Sequence, residues 1–358
     1  MTRPLDHAIE AHLATWDDPA VEALIFGEAT VDVIAAELRR FCREHLGSTI
    51  EGCLFVSTSV GFTVGVELLT GPVVIKAYQP RWPEPFLRAV VHAQMIASSA
   101  GFPCAQPLGG PLPFAHGLAT VESLLPEPTP PRASVDAALR AASATGLARL
   151  VTDLRPHAGA AALGSLADHP LREPTDQLWG TPHSPLFDFG PATGTAEATR
   201  IDDLARRGQV ARDADLGLPP VVIHTDWSLR NIRFDDRTRL AAVYDWDSLA
   251  LIAETTGVGQ AAQTWDATGE PGSPERPDAH AVAAYVRDYE AGRQQPFTAA
   301  EREAIGGAAL YNLAYIARCE LALEHRYPNV EHARTARDRI ASDGDALLHL
   351  DDLAPPNR

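Results

Sequence analysis

The stretch VVIHTDWSLRNIRFDDRTRLAAVYDWDSLAL, Val221–Leu251, decides the fold of this chain. Val221, Val222 and Ile223 open it as an apolar strand, which breaks into a polar turn at His224-Thr225-Asp226. Asn231 comes soon after, a second strand pattern runs Ile232-Arg233-Phe234, and a charged turn spans Asp235 to Arg239. A third apolar run ends at Asp245. Strand ends and the turns beyond them hold the backbone still while side chains reach a cleft. One small hairpin is therefore expected to present Asp226, Asn231 and Asp245 together.

That trio suits phosphoryl transfer. A carboxylate such as Asp226 can accept the proton of an incoming hydroxyl. Asn231 and Asp245 offer the oxygens that Mg²⁺ prefers, with nucleotide phosphates completing its shell. His224 is read as packing beneath the loop, because His224 and Asp226 lack a third ligand at zinc spacing. Trp227 and Trp246 are read as packing residues, and Asp247 as a neighbour of the metal.

The order H-x-D-x-x-x-x-N, here His224, Asp226 and Asn231, followed by a strand-end Asp in Tyr244-Asp245-Trp246-Asp247, matches kinase catalytic-loop and metal-binding signatures. At these residues the chain resembles the aminoglycoside phosphotransferase and choline kinase family, small-molecule relatives of protein kinases. Members commonly show H-G-D-x-x-x-x-N and I-D-W-E or I-D-W-D. The resemblance implies an α+β, bilobal, protein-kinase-like fold, with a small antiparallel-sheet lobe and a mostly helical lobe carrying the catalytic hairpin. It also implies ATP between the lobes, with GTP as the alternative nucleotide, and Mg²⁺ on Asn231 and Asp245. Asp226 is then the catalytic base.

The chain contains a single lysine, Lys76, every other cationic side chain being arginine. A lysine kept against that bias suits a place where a compact ammonium is needed and a planar guanidinium does not fit. It lies in Val73-Val74-Ile75-Lys76, which resembles the kinase strand whose lysine holds the α- and β-phosphates. The preceding loop, Ser57 to Thr63, lacks a G-x-G-x-x-G. Its amides and hydroxyls, with Ser59 and Gly61 as the named residues, are expected to cover the phosphates. Leu118 to Leu124 reads as the strand leading to a hinge, with Glu122, Ser123 and Leu124 as the adenine-side residues. Kinases place a glutamate in the intervening helix to pair with the strand lysine. Here Glu84 precedes that helix and His92 lies nearer the expected position, so the partner of Lys76 is left open.

At 358 residues the chain is long enough for two lobes. Its composition, 45% hydrophobic and 22% charged, excludes wholesale disorder. A formal charge of −17 argues against nucleic-acid binding through a basic face and favours a cationic acceptor through the long-range field. No apolar run spans a bilayer and the N-terminus carries acids, so no membrane association and a cytoplasmic location are expected. Cys42, Cys53, Cys104 and Cys319 lie apart, without C-x-x-C spacing, and read as free thiols.

The domain reading is an N-terminal helical extension (1–50), a nucleotide-binding sheet and helix (51–125) and a helical lobe with the catalytic and metal-binding loops (126–358). Ile9, Leu13 and Trp16 mark a first helix, and Thr30 caps a run with Val31, Ile34, Leu38 and Phe41 on one face. Strands are expected over 53–60, 63–69 and 72–78 with a tight turn near Gly61, then a helix over 85–100. Pro126 to Pro131 reads as a linker and Ser134 to Leu154 as a helix using Ala138, Leu139, Ala142, Leu147, Leu150 and Val151 for burial. Pro185 to Phe189 and the helix around Asp202-Asp203 are candidates to line a substrate cleft. Glu254 is read as an acid fixing the start of a helix over 255–265, Asp278 as the cap of 281–293, and Thr298 to Glu301 as a capping box. A last helix is expected over 335–350.

The function expected from all this is ATP-dependent transfer of a γ-phosphoryl group to a hydroxyl of a small molecule. The acceptor candidates are an aminoglycoside-like antibiotic, an amino alcohol or a sugar. The alternative is a catalytically silent, kinase-shaped nucleotide-binding or regulatory protein.

Overall fold

A computed structural model describes residues 2–15, 19–125, 135–171, 177–184, 186–268 and 276–353. The expected linker at 126–131, and Trp16, Ser134 and Pro185, lie outside the described residues. The chain divides into two compact units: Met1–Ser99 with Cys104–Pro126 and His183–Pro185, and Ala100–Pro103 with Glu127–Pro182 and Leu186–Arg358.

The first unit is a five-stranded antiparallel sheet with helices. Its strands are β1 (Ile50–Thr58), β2 (Phe62–Leu68), β3 (Gly71–Tyr78), β4 (Pro107–Phe114) and β5 (Gly117–Ser123), in the order β1-β2-β3-β5-β4. Helices α1 (Leu5–Leu13), α2 (Ala20–Phe26) and α3 (Val31–His45) precede it, and α4 (Glu84–Ser99) follows β3. The hydroxyl of Thr30 accepts the amide of Val33 and so starts α3, which buries Ile34, Leu38 and Phe41. That face does not form a core of its own. It merges with the inner face of the sheet, where Phe26 meets Phe62 and Phe114 edge-on at 5.1 and 5.6 Å, and Phe41 meets Phe114 at 5.2 Å. Each aromatic ring withdrawn there stabilises the unit by about 2–3 kcal/mol. Residues 1–50 and the sheet therefore share one core.

Strand β4 is absent from the sequence expectation. Its sequence, PLGGPLPF, carries glycines and prolines that argue against a strand, yet β4 is the edge of the sheet. An edge strand needs no N–H donor on its outer side, so proline is tolerated there. The ladder to β5 shifts register on both sides of Gly109.

The second unit is mainly helical: α5 (Ala137–Leu154), α6 (Ala196–Arg212), α7 (Glu254–Thr264), α8 (Ala279–Arg293), α9 (Ala299–Arg326) and α10 (Thr335–Asp343). Asp136 caps α5 by accepting the Leu139 amide at 2.9 Å, and Ala138 faces solvent instead of the core. Asp278 caps α8 through the Ala281 amide, and Thr298 with Glu301 closes a reciprocal capping box on α9. Helix α9 is buried over most of its length and packs against α6, α7 and α10. Gly208 and Gly307 bring α6 close to it: a Cβ on Gly208 would lie 2.8 Å from the Gly307 carbonyl oxygen. The expected last helix ends at Asp343, and a 3₁₀ segment takes over at Ala346–Asp352.

Four short strands complete this unit: β6 (Val221–His224), β7 (Ile232–Phe234), β8 (Leu240–Val243) and β9 (Leu249–Ile252). They correct the expectation of one hairpin. β7 pairs with β8, whereas β6 pairs with β9, a strand that follows Asp245. Both pairs are antiparallel.

All four cysteines are free thiols, and burial pushes Cys42, Cys104 and Cys319 up to about 12 and Cys53 to about 11. Among the described residues no helix is long and apolar enough to cross a membrane.

Candidate active site

In the second unit, the two ladders bring Asp226, Asn231 and Asp245 onto one set of linked loops. His224 ends β6 opposite Leu249. The next residue, Thr225, donates both its amide (2.9 Å) and its hydroxyl (2.8 Å) to the Ser248 carbonyl. The loop bearing Asp226 is thereby fastened to the loop bearing Asp245. His224 is fully buried, with Nε2 3.0 Å from the Tyr244 carbonyl oxygen. The Tyr244 amide donates to the Asn231 carbonyl at 2.8 Å. Tyr244 is thus gripped at both ends of its peptide units, which fixes the backbone entering Asp245.

Asp245 itself adopts a left-handed conformation, φ 62° and ψ 47°. Asn and Asp tolerate this region better than most residues, and such a conformation is retained where the surroundings enforce it. Its Oδ2 accepts the Ser248 hydroxyl at 2.9 Å. The following Trp246 is buried, donates its indole N–H to the Val243 carbonyl and meets Phe102 edge-on. Asp247 is buried as well.

The Asn231 side chain turns back on Asp226: its Nδ2 donates to Asp226 Oδ2 at 2.8 Å and to the Asp226 carbonyl at 3.0 Å. The amide nitrogen is spent on this pair of bonds. That leaves Oδ1, a hard oxygen, as the atom for a cation. Trp227 is buried beneath, its indole N–H donating to the Ser143 carbonyl and hydroxyl on α5. The far end of the loop is tied to the end of α7 by Leu229 N–H to Trp265 O (2.8 Å) and Arg230 N–H to Ala267 O (3.0 Å). Between those acceptors lies Asp266, whose carboxyl burial pushes up to about 6 against the pull of Arg276.

Behind the loops stands Glu254, the first residue of α7. It accepts the Tyr289 hydroxyl at 2.8 Å and an Arg155 Nη2 at 2.8 Å, with Arg293 Nε at 3.5 Å. It is a buried fixing acid, as its place in the sequence suggests.

In the first unit, the turn between β1 and β2 covers Lys76. The pair Thr58↔Phe62 closes that turn, and Ser59 donates its amide to the Gly61 carbonyl at 3.1 Å. Gly61 lies so near β3 that a Cβ there would sit 2.8 Å from the Ala77 carbonyl oxygen and 3.9 Å from Lys76 Cε. Buried Gln79 holds the turn from the end of β3 through the Val60 carbonyl. The Lys76 ammonium lies 5.9 Å from the Tyr78 ring centroid, and the residue is half-buried opposite Thr63 and Thr120.

Helix α4 carries one carboxylate, Glu84, and it pairs with Arg88 one turn on. The buried polar residue of this helix is Gln94, which donates to the Ala105 carbonyl (3.0 Å) and to Glu122 Oε2 (2.8 Å). Glu122 and Ser123 end β5, Ser123 exchanging bonds with Gln106, and Leu124 follows. Gln79 and Gln94 carry no sequence signal, because a buried amide acting on backbone has no motif. Asp202, a cleft candidate, instead accepts the Trp179 indole at 3.1 Å and neighbours buried Arg318 at 3.3 Å.

Among the described residues no cluster of three or more His, Cys, Asp or Glu forms a metal cage by itself. Asn231 with Asp245 fits a hard cation whose remaining positions go to phosphate oxygens and water.

Residues 59–296 match the Phosphotransferase enzyme family (APH). A choline/ethanolamine kinase family protein from Mesorhizobium loti aligns with a TM-score of 0.55 at 14% identity, over 89% of this chain and 99% of that one. An amicoumacin kinase solved with AMP-PNP, Ca²⁺ and Ami gives 0.53 at 11% identity, over 97% and 96%. A spectinomycin phosphotransferase solved with ADP and spectinomycin gives 0.52 at 10%, over 86% and 97%. No curated protein matches the chain. The structural likenesses establish a kinase-like α+β fold. The sequence match runs from the turn over Lys76 to the end of α8, and the chain belongs to the Phosphotransferase enzyme family.

Proposed function

We propose that this phosphotransferase moves the γ-phosphoryl group of ATP to a hydroxyl of a small molecule with the help of Mg²⁺. The observation that carries the reading is the linkage of Asp226, Asn231 and Asp245: a side-chain bond joins the first two, and the doubly held Tyr244 backbone joins Asn231 to Asp245. Asp226 orients the acceptor hydroxyl and takes its proton. The acceptor oxygen bonds to the γ-phosphorus as the bond from that phosphorus to the β–γ bridging oxygen breaks, and the electron pair leaves with the β-phosphate. Asn231 Oδ1 and the Asp245 carboxylate hold Mg²⁺, which when bound neutralises charge on the phosphates. Lys76 pairs with the α- and β-phosphates, and the turn Ser59–Gly61 covers them. Glu122, Ser123 and Leu124 line the adenine side through backbone groups. Little covalent work falls to the protein, so positioning and preorganised charge supply most of the rate. The nucleotides in the amicoumacin kinase and spectinomycin phosphotransferase structures support nucleotide use.

The acceptor is proposed to be an amino alcohol, sugar or aminoglycoside-like compound, with a cationic one favoured by the charge of −17. A nucleotide binder without transfer activity is the second reading, favoured by α4, whose one carboxylate pairs with Arg88. Mass spectrometry of a panel of hydroxylated acceptors incubated with the protein, Mg²⁺ and ATP or GTP separates the two. Transfer predicts one acceptor class gaining a single phosphoryl group. Tight nucleotide binding with no phosphorylated product across the panel favours the second reading.

A further inference from the structure

The turn over Lys76 has a support that lies outside the family-matched segment, which begins at residue 59. Thr58 and Phe62 form the last pair of the β1–β2 ladder and close the turn. His12, in the last turn of α1, touches both of them. Its Nε2 lies 3.0 Å from Thr58 Oγ1, and its ring meets Phe62 edge-on at 6.0 Å between centroids. The same nitrogen lies 2.9 Å from Glu22 Oε1 on α2. The Glu22 side chain is 2% exposed and that of His12 9%.

A carboxylate in such a place is costly to maintain. Burial pushes the Glu22 carboxyl up, yet hydrogen bonds from His12 and Thr58 bring it below the ordinary range, so it stays ionised. Buried ion pairs seldom stabilise a fold more than apolar side chains of the same volume would. What a charged pair does supply is direction, because it fixes the Thr58 hydroxyl at one point. Gln79 and the close approach of Gly61 to Ala77 fix the other side of the same turn.

We infer that α1 and α2 belong to the nucleotide-binding apparatus, with His12 and Glu22 as positioning residues that hold Thr58 and, through it, the turn Ser59–Gly61. The inference rests on the reading of this turn as the phosphate cover. Its effect falls on the phosphates and not on the base, since the residues it steadies lie at the turn over Lys76.

Calorimetric titration of the full chain with Mg²⁺·AMP-PNP and, separately, with adenosine tests this in the wild type, His12→Ala, Thr58→Val and the double variant. Each single change is expected to weaken AMP-PNP binding about tenfold, equivalent to about 1.4 kcal/mol, and to leave adenosine binding unchanged. The double variant is expected to be no worse than either single one, because both break the same link. Thr58→Val preserves shape and carries the test should His12→Ala fail to fold. Wild-type AMP-PNP affinity in folded variants, additive losses, or an equal loss for adenosine would overturn the positioning role. A wild type that binds adenosine but gains nothing from the phosphates would instead overturn the phosphotransferase reading.

Discussion

The loops of the helical unit and the turn of the sheet unit are held by different means. Asp226, Asn231 and Asp245 are fixed largely by bonds made between His224 and Ser248, a stretch that folds back on itself. The turn at 59–61 is fixed by residues recruited from far along the chain, His12 and Glu22 on one side and Gln79 on the other. A site held by neighbours in sequence writes its spacing into the sequence. A site held by distant residues leaves only its tip visible. The difference also predicts where damage stays local: changes in the catalytic loops should alter chemistry, and changes around the turn should alter binding.

The largest expected effect sharpens that contrast. Asp226→Asn keeps an oxygen for Asn231 to donate to but cannot take a proton. We expect transfer to fall about 10³-fold, within the usual range for a general base, while Mg²⁺·AMP-PNP affinity stays at the wild-type value. Steady-state kinetics paired with calorimetry reads both quantities. An equal loss of affinity and rate would mean that Asp226 organises the loop instead of serving the chemistry.

Gly61→Ala probes the other side. The new Cβ would meet the Ala77 carbonyl at 2.8 Å, a contact with backbone that side-chain rotation cannot relieve. The turn must lift away from β3, and nucleotide affinity is expected to drop about tenfold, or about 1.4 kcal/mol. The rate at saturating nucleotide should change much less. A fall in the saturated rate with unaltered affinity would break the division between binding turn and catalytic loop.

Asp266→Asn gives the smallest effect and concerns stability. Burial lifts this carboxyl to about 6, above its value in the unfolded chain, so the folded state holds the proton more tightly. The stabilisation is complete below about pH 4 and is lost as pH rises through about 6. The amide removes that loss, so the variant should be more stable at pH 7 by up to about 3 kcal/mol and equal to the wild type near pH 4. Urea unfolding at the two pH values measures this. Because Trp265 and Ala267 anchor the catalytic loop on either side, the variant also tests whether that support carries a functional charge. Unchanged transfer would assign Asp266 to stability alone.

Legibility in the sequence followed the same division. The capping residues Thr30, Asp278 and Thr298 and the strands around Lys76 follow from local patterns and stand where those patterns put them. The pairing of β6 was misread because its partner, Leu249–Ile252, is four residues long and comes after the Asp245 turn. β4 was invisible because glycine and proline weigh against a strand until its edge position is known. α6 was indistinct since it buries only Ala198, Ile201, Ala205 and Gly208, small residues that suit close packing on α9 but give a faint apolar stripe. His12 and Glu22 belong to no spacing pattern at all. Their meeting with Thr58 is a product of the tertiary fold.

The central claim is that Asn231 and Asp245 hold the magnesium of a magnesium–nucleotide. Its most direct test is the Mg²⁺ dependence of AMP-PNP affinity in the wild type and in Asp245→Asn, a change that retains a side chain at ease in the left-handed conformation. The account predicts affinity that climbs with Mg²⁺ in the wild type and stays nearly flat in the variant. Identical Mg²⁺ dependence in the two proteins would contradict it.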